Sequence, residues 1–285
     1  MALAFCFAME SLPWYTNREA RDSNFLDMAF DPQLDIRLSS GALAFVYGQD
    51  VFGPQPELRS LDAIRYSLLS KSCDGPDPVY CIAMDVGREE HNEALRQRML
   101  LFGVVAYESG RLGDEPVRSQ GHVHAIAPHC GWSTPELVEI WQGRAIIYLQ
   151  EQVTNQPGRC VAIDAQPGDK IVIPPGWAHC IINGNPEARM MFGAWCDRQY
   201  GFDYDGVRAH GGLAWRPLLR KNGIEWQPNS AYAPSRLASR HARTYPELGV
   251  SATLPIYEQF AHDHGSMQWV SEPAVVDDIW DTFEP

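Results

Sequence analysis

No run of apolar residues approaches the roughly 18 that a membrane-spanning helix needs, so none is expected. Basic runs of five or more are absent as well, and the formal net charge is −13. Both argue against nucleic acid and anionic membrane surfaces as partners. A small phosphate ester stays open, since it needs only a few well-placed donors. No CxxC pair occurs. The seven cysteines, Cys6, Cys73, Cys81, Cys130, Cys160, Cys180 and Cys196, are odd in number and spaced without a disulfide framework, so reduced thiols and a cytoplasmic location are expected. The first residues, "MALAFCFAMESLPWYT", are apolar but lack a positive n-region, and the stretch is too short for a convincing signal peptide. Internal repeats and low-complexity segments are missing too.

The chain has 285 residues, of which 45% are hydrophobic and 21% charged, the composition of a soluble globule able to bury a proper core. Residues 1 to 74 read as an N-terminal arm, irregular to about position 55. Leu58, Leu61, Ile64 and Leu68 then recur at helical spacing and predict one helix over 58–69. "CDGPDP" (73 to 78) breaks the chain. From about residue 96, short apolar runs alternate with turn residues: "MLLFGVVAY", "VRSQGHVH", "ELVEIWQG", "AIIYLQE", "CVAID", "KIVIPP", "HCIIN" and "RMMFGAW". A run every 8 to 12 residues or so predicts an all-β sandwich or barrel over 75–217. Residues 218–285 lack this rhythm and read as an extension packed on the outside.

Within "GHVH", residues i and i+2 of a strand point to one face, so His122 and His124 project together and can chelate one ion. Such a pair alone is often a surface feature. "GDKIVIPPGWAHCIIN" adds a stronger signal. Its Gly168, Pro174, Gly176, His179 and Asn183 match the second motif of the cupin superfamily, G-x5-P-x-G-x2-H-x3-N, at every specified position. The first cupin motif asks for a glutamate six residues before a glycine. Glu136 meets that with Gly143, and Glu139 does not. The resemblance implies an all-β cupin sandwich and a ligand set of His122, His124, Glu136 and His179. That set suits Fe(II) first, with Mn(II), Ni(II) or Zn(II) as alternatives. The plain alternative is a metal-free sandwich with satisfied histidines. Eleven residues separate His124 from Glu136 where cupins usually have three or four, and the surplus predicts a loop over the barrel mouth, with His129 and Cys130 in it as lid residues. "HDH" at 262–264 has no glutamate–glycine segment or PxG turn after it and reads as surface loop.

Flanking residues narrow the resemblance. "S-Q-G-H-V-H", Glu136 to Gly143, "IPPGWAHCIIN" and "GFDY" together resemble the cupin-type glucose-6-phosphate isomerases, over about residues 77 to 210. The resemblance implies interconversion of glucose 6-phosphate and fructose 6-phosphate, a phosphorylated sugar as partner, and a homodimer. Its metal ligands carry over onto the four residues above. Its phosphate contacts carry over onto Ser119 and Gly121, and its substrate tyrosines onto Tyr204 and Tyr80. Glu136 is the candidate general base, with a base-free hydride shift as the other route. The family's tyrosine after the glutamate is Val138 here, and its histidine in the G-x-D-Y segment is Phe202. Some substrate contacts are therefore expected from elsewhere, the inserted loop included. A dianionic phosphate wants a cation, and Arg118, Arg198 and Arg208 flank the motifs. Rival readings are another sugar-phosphate isomerase or epimerase, an Fe(II) dioxygenase, and a non-catalytic sugar-binding cupin.

Overall fold

The computed structural model describes residues 24–285; Cys6 and the apolar start read above lie outside the described residues. Two sheets face each other. The larger runs, in spatial order, Lys170–Ile173, Glu136–Gln142, Met190–Asp197, Leu100–Tyr107, Tyr80–Met84 and Glu57–Arg59, all antiparallel. The smaller runs Ala178–Asn183, Ala145–Gln150, Cys160–Ala165 and Leu237–His241. Its first three strands are antiparallel, and the last joins in parallel. Strands from 136 to 197 cross between the sheets rather than staying in one, which is the cupin double-stranded β-helix arrangement.

The runs "LLFGVVAY" and "MMFGAWCD" are buried along their whole length. A strand covered on both faces has no polar side to show, and it reads as continuous apolar sequence. The inner face packs Val105, Tyr107, Val138, Ile140, Phe192 and Ala194 against Ile147, Leu149, Ile163 and Ile181. On the outer face, Phe102, Val104, Trp141 and Trp195 meet Tyr257, Phe260, Met267 and Trp269 of the C-terminal segment. Trp195 stacks on Tyr257 with ring centroids 5.5 Å apart, and its indole N–H donates to the Ile256 carbonyl at 3.1 Å. Burying side chains of this size stabilises by roughly 1.5–3 kcal/mol each.

Three expectations change on contact with the structure. The helix over 58–69 shrinks to Leu61–Ile64 followed by a 3-10 turn at Arg65–Ser67. Ser60 caps it, accepting from the Ala63 N–H at 3.3 Å, and Leu58 falls in the edge strand paired to Tyr80–Met84, where it is exposed. Sheet pairing took the residue that periodicity assigned to the helix. "VRSQGHVH" yields only a two-residue strand at Val123–His124. Leu237–His241, in the region without strand rhythm, is a strand of the smaller sheet. The cysteines among the described residues are all free, and no helix there is long and apolar enough to cross a membrane.

Candidate metal centre

His122 and His179 are brought together by the backbone. Each donates its N–H to the other's carbonyl, at 3.1 and 2.9 Å, as an isolated antiparallel bridge. His124 follows on the short strand that pairs with Phe202–Asp203. Ligand-capable atoms of His122, His124 and His179 all lie within 4.8 Å of one another. Glu136 enters from the larger sheet. One of its oxygens stands 3.4 Å from Nε2 of His124 and 3.4 Å from Nε2 of His179. Glu139, three residues on, points to the opposite face of the same strand and takes no part.

The electrostatics follow from burial. Burial, then His179, His124 and Arg59, hold the His122 imidazole well below its usual range. Burial alone would raise the Glu136 carboxyl, but hydrogen bonds and charge from His124 and His179 prevail and hold it at about 2. His124 donates from Nδ1 to the Thr134 carbonyl at 2.7 Å, which fixes the ring and turns Nε2 toward Glu136. Nε2 of His122 is buried with no partner, while His179 turns its Nε2 toward Glu136. An unpartnered buried nitrogen costs roughly 1–3 kcal/mol. Such a nitrogen in a three-histidine cluster facing a carboxylate is what a site for a divalent ion looks like from the protein's side.

The inserted loop folds back on itself. The Ala127 N–H donates to the Trp132 carbonyl at 2.8 Å, and Ile126 bridges Ser133. Its return limb supplies the Thr134 carbonyl that orients His124. The lid expectation is corrected here: none of residues 125–135 lines the cleft above the histidines. His129 instead pins the loop outward, with Nε2 3.0 Å from the Ser271 carbonyl and 3.3 Å from the buried Asp197 carboxylate. His262 pairs with Glu258 at 3.2 Å and His264 stacks on Phe260, so neither joins the cluster.

The cleft over the cluster encloses about 660 Å³ of non-atom space, part of it open to solvent. His122, Glu136 and His179 line it, together with Ser119, Tyr80 and Tyr204, three of the residues onto which the family's substrate contacts carry over. Ser119 Oγ accepts from the Ile181 N–H at 3.2 Å. Gly121 stands behind the wall: at φ +88° an added Cβ would meet Leu213 at 2.8 Å, so only glycine fits the turn into His122. Val138 faces the core between the sheets. The Phe202 ring lines the cleft, 4.5 Å from the His122 ring. Much of the remaining wall is apolar, from Ile82, Met84, Val105 and Ala194.

The three flanking arginines do not reach the cleft. Arg118 is buried and engaged with Glu115 at 2.6 and 2.8 Å and with the Ser67 carbonyl at 2.7 Å. Arg198 makes a two-pronged pair with Asp85, and Arg208 sits behind Gln120 and Tyr204. The lining cation is Arg59, which sequence reasoning missed. It lies on a three-residue strand outside every motif, and only the fold carries it to the site.

Comparison with known proteins adds to this geometry. A family model described as "Glucose-6-phosphate isomerase (GPI)" matches residues 61–235, more than half of the chain. "Putative glucose-6-phosphate isomerase 1" of Rhizobium meliloti (strain 1021) is 32% identical over 115 residues, covering 40% of this chain and 49% of that protein. The glucose-6-phosphate isomerase of Sinorhizobium medicae (strain WSM419) is 30% identical over 133 residues, 46% of this chain and 56% of that one. That of Thermococcus onnurineus (strain NA1) is 25% identical over 142 residues, 44% and 70%. The chain spans about half the length of the first of these relatives. Among solved structures, oxalate decarboxylase from Bacillus subtilis matches 41% of this chain and 25% of its own at 15% identity and a TM-score of 0.30, a likeness too slight to add to the strand order.

Proposed function

We propose that this chain, which belongs to the glucose-6-phosphate isomerase family, interconverts glucose 6-phosphate and fructose 6-phosphate with one divalent ion held by His122, His124, His179 and Glu136. The observation that carries the reading is the convergence of His122, His124, His179 and Glu136, with Nε2 of His122 buried and unpartnered, at the floor of a cleft whose rim holds hydroxyls and a cation. Fe(II) is the first candidate, with Mn(II), Ni(II) and Zn(II) behind it; imidazole and carboxylate donors suit all four. When bound, such an ion supplies Lewis-acid polarisation of the sugar carbonyl.

The protein's own groups do the rest. The Thr134 carbonyl orients His124 so that Nε2 faces inward. Ser119, Tyr80 and Tyr204 offer hydroxyls along the cleft wall and would orient the sugar, so that C1 and C2 lie toward the histidines. Burial raises both phenols, so they remain neutral donors. Hydrogen passes between C1 and C2 either directly or by relay through Glu136, which lines the cleft. A homodimeric, cytoplasmic enzyme acting on a phosphorylated sugar completes the proposal.

The test is a coupled assay on metal-stripped full-length protein with fructose 6-phosphate, adding Fe(II), Mn(II), Ni(II) or Zn(II) in turn. Turnover restored by metal and abolished in Glu136→Gln is the expected result. Absence of turnover with every metal, in protein shown to bind one, would refute the glucose phosphate assignment. Substrate deuterated at the migrating position keeps its label under direct transfer; loss of the label to solvent would assign a base, with Glu136 the first candidate.

A further inference from the structure

We propose that Arg59 is the cation that receives the substrate's phosphate, and that it sets the preference for phosphorylated over neutral sugars at this site; the inference rests on the isomerase reading above. Among the described residues lining the cleft, Arg59 is the one arginine or lysine, and it shares that wall with Ser119, Gln120, Tyr80 and Tyr204. The chain is acidic overall, so a dianion entering the cleft needs a local cation to offset the surrounding field. Arg118 and Arg198 are committed elsewhere, as their hydrogen bonds show, and Arg208 lies behind Gln120 and Tyr204 without lining the cleft.

Arg59 retains donors for a ligand. Its Nε–H is buried and donates to nothing. Its Nη2 is held by Glu57 at 2.7 Å, but that carboxylate is 63% exposed while the guanidinium is 22% exposed. An ion pair with so open a partner is weak and readily exchanged. A phosphate with three acceptor oxygens could take the orphaned Nε–H and Nη2–H together in the two-pronged geometry that guanidinium favours. Glu57 then acts as a placeholder, a surface carboxylate that competes with the substrate's phosphate for the same hydrogens. Backbone supports the placement. The strand Glu57–Arg59 is hydrogen-bonded to Tyr80–Met84, with Arg59 directly opposite Tyr80.

The experiment uses the metal-reconstituted full chain and compares wild type, Arg59→Gln and Glu57→Gln. Steady-state kinetics are measured with fructose 6-phosphate and with fructose, and inorganic phosphate is the inhibitor. Arg59→Gln should raise KM for fructose 6-phosphate and Ki for phosphate together, by about 10- to 100-fold, the loss of one or two charge-assisted hydrogen bonds. Any turnover of fructose should be unchanged. Glu57→Gln should lower both constants a few-fold at unchanged kcat. Unchanged KM and Ki in Arg59→Gln would overturn the proposal. So would an equal loss with phosphorylated and unphosphorylated sugar. If Arg59→Gln does not fold, Glu57→Gln decides, and constants equal to wild type there would overturn it. Should wild type itself turn over no sugar phosphate, the isomerase reading falls separately; calorimetric binding of inorganic phosphate, weaker in Arg59→Gln than in wild type, would still uphold the role of Arg59.

Discussion

Glu139 offers the sharpest test of how this molecule is held together. It is fully buried on the outer face of the larger sheet, where it accepts from the Trp141 indole N–H at 3.0 Å and from the Ile256 N–H at 3.0 Å, with Lys170 Nζ 3.8 Å away. It therefore ties the C-terminal segment to the sheet. Burial outweighs these donors and pushes its carboxyl up from 4.5 to about 7. A carboxyl raised on folding binds its proton more tightly in the folded state. Its contribution to stability is thus fully present below about 4.5 and is lost as pH rises through about 7. At 1.36 kcal/mol per pH unit, the ceiling on that loss is about 3 kcal/mol. The perturbation is Glu139→Gln, which cannot titrate and which loses roughly 1 kcal/mol of hydrogen bonding at every pH. His91, His122 and His179, held neutral chiefly by burial, slope the other way across this window. They do so in both proteins, so the difference between the two isolates Glu139. Urea unfolding at pH steps from 5 to 8 should find the mutant's deficit shrinking as pH rises, and even reversing. Parallel stability curves for the two proteins would refute the reasoning.

Two further outcomes follow from packing. In Gly193→Ala the new methyl would come within 2.2 Å of the Trp141 ring and 2.6 Å of Phe102. Both rings are fully buried, so denaturant unfolding should find a loss of about 1–3 kcal/mol or more; wild-type stability would refute the tight packing. His129→Ala leaves the Asp197 carboxylate, 1% exposed, without the imidazole 3.3 Å away and frees the loop from Ser271. It should cost about 1–3 kcal/mol and speed amide hydrogen exchange in residues 126–133. Unchanged exchange there would mean that the loop is held by its own hairpin bonds.

The periodic and motif-bearing parts of the molecule were legible in the sequence. Strands with apolar faces announce themselves by composition, and the strands around Glu136, His179 and Trp195 lie where their runs stand. The three histidines and Glu136 were legible as well, because the turns around them leave glycines and prolines at readable spacings, and the fold brings the four side chains together. The spacing to Gly143 picked out Glu136 over Glu139, and the fold sets Glu136 beside the histidines. What tertiary structure alone decided concerns residues whose neighbours are distant along the chain. Leu237–His241 is an exposed edge strand with no apolar alternation to betray it. The loop at 125–135 turned outward because His129 found Ser271 and Asp197, some 142 and 68 positions away. Arg118 looked available beside the histidines until Glu115 and Ser67 claimed it, and Arg59 became the cation of the cleft through its pairing with Tyr80. A side chain's charge is written in the sequence, but whether that charge is already engaged depends on which partners the fold brings within hydrogen-bonding distance.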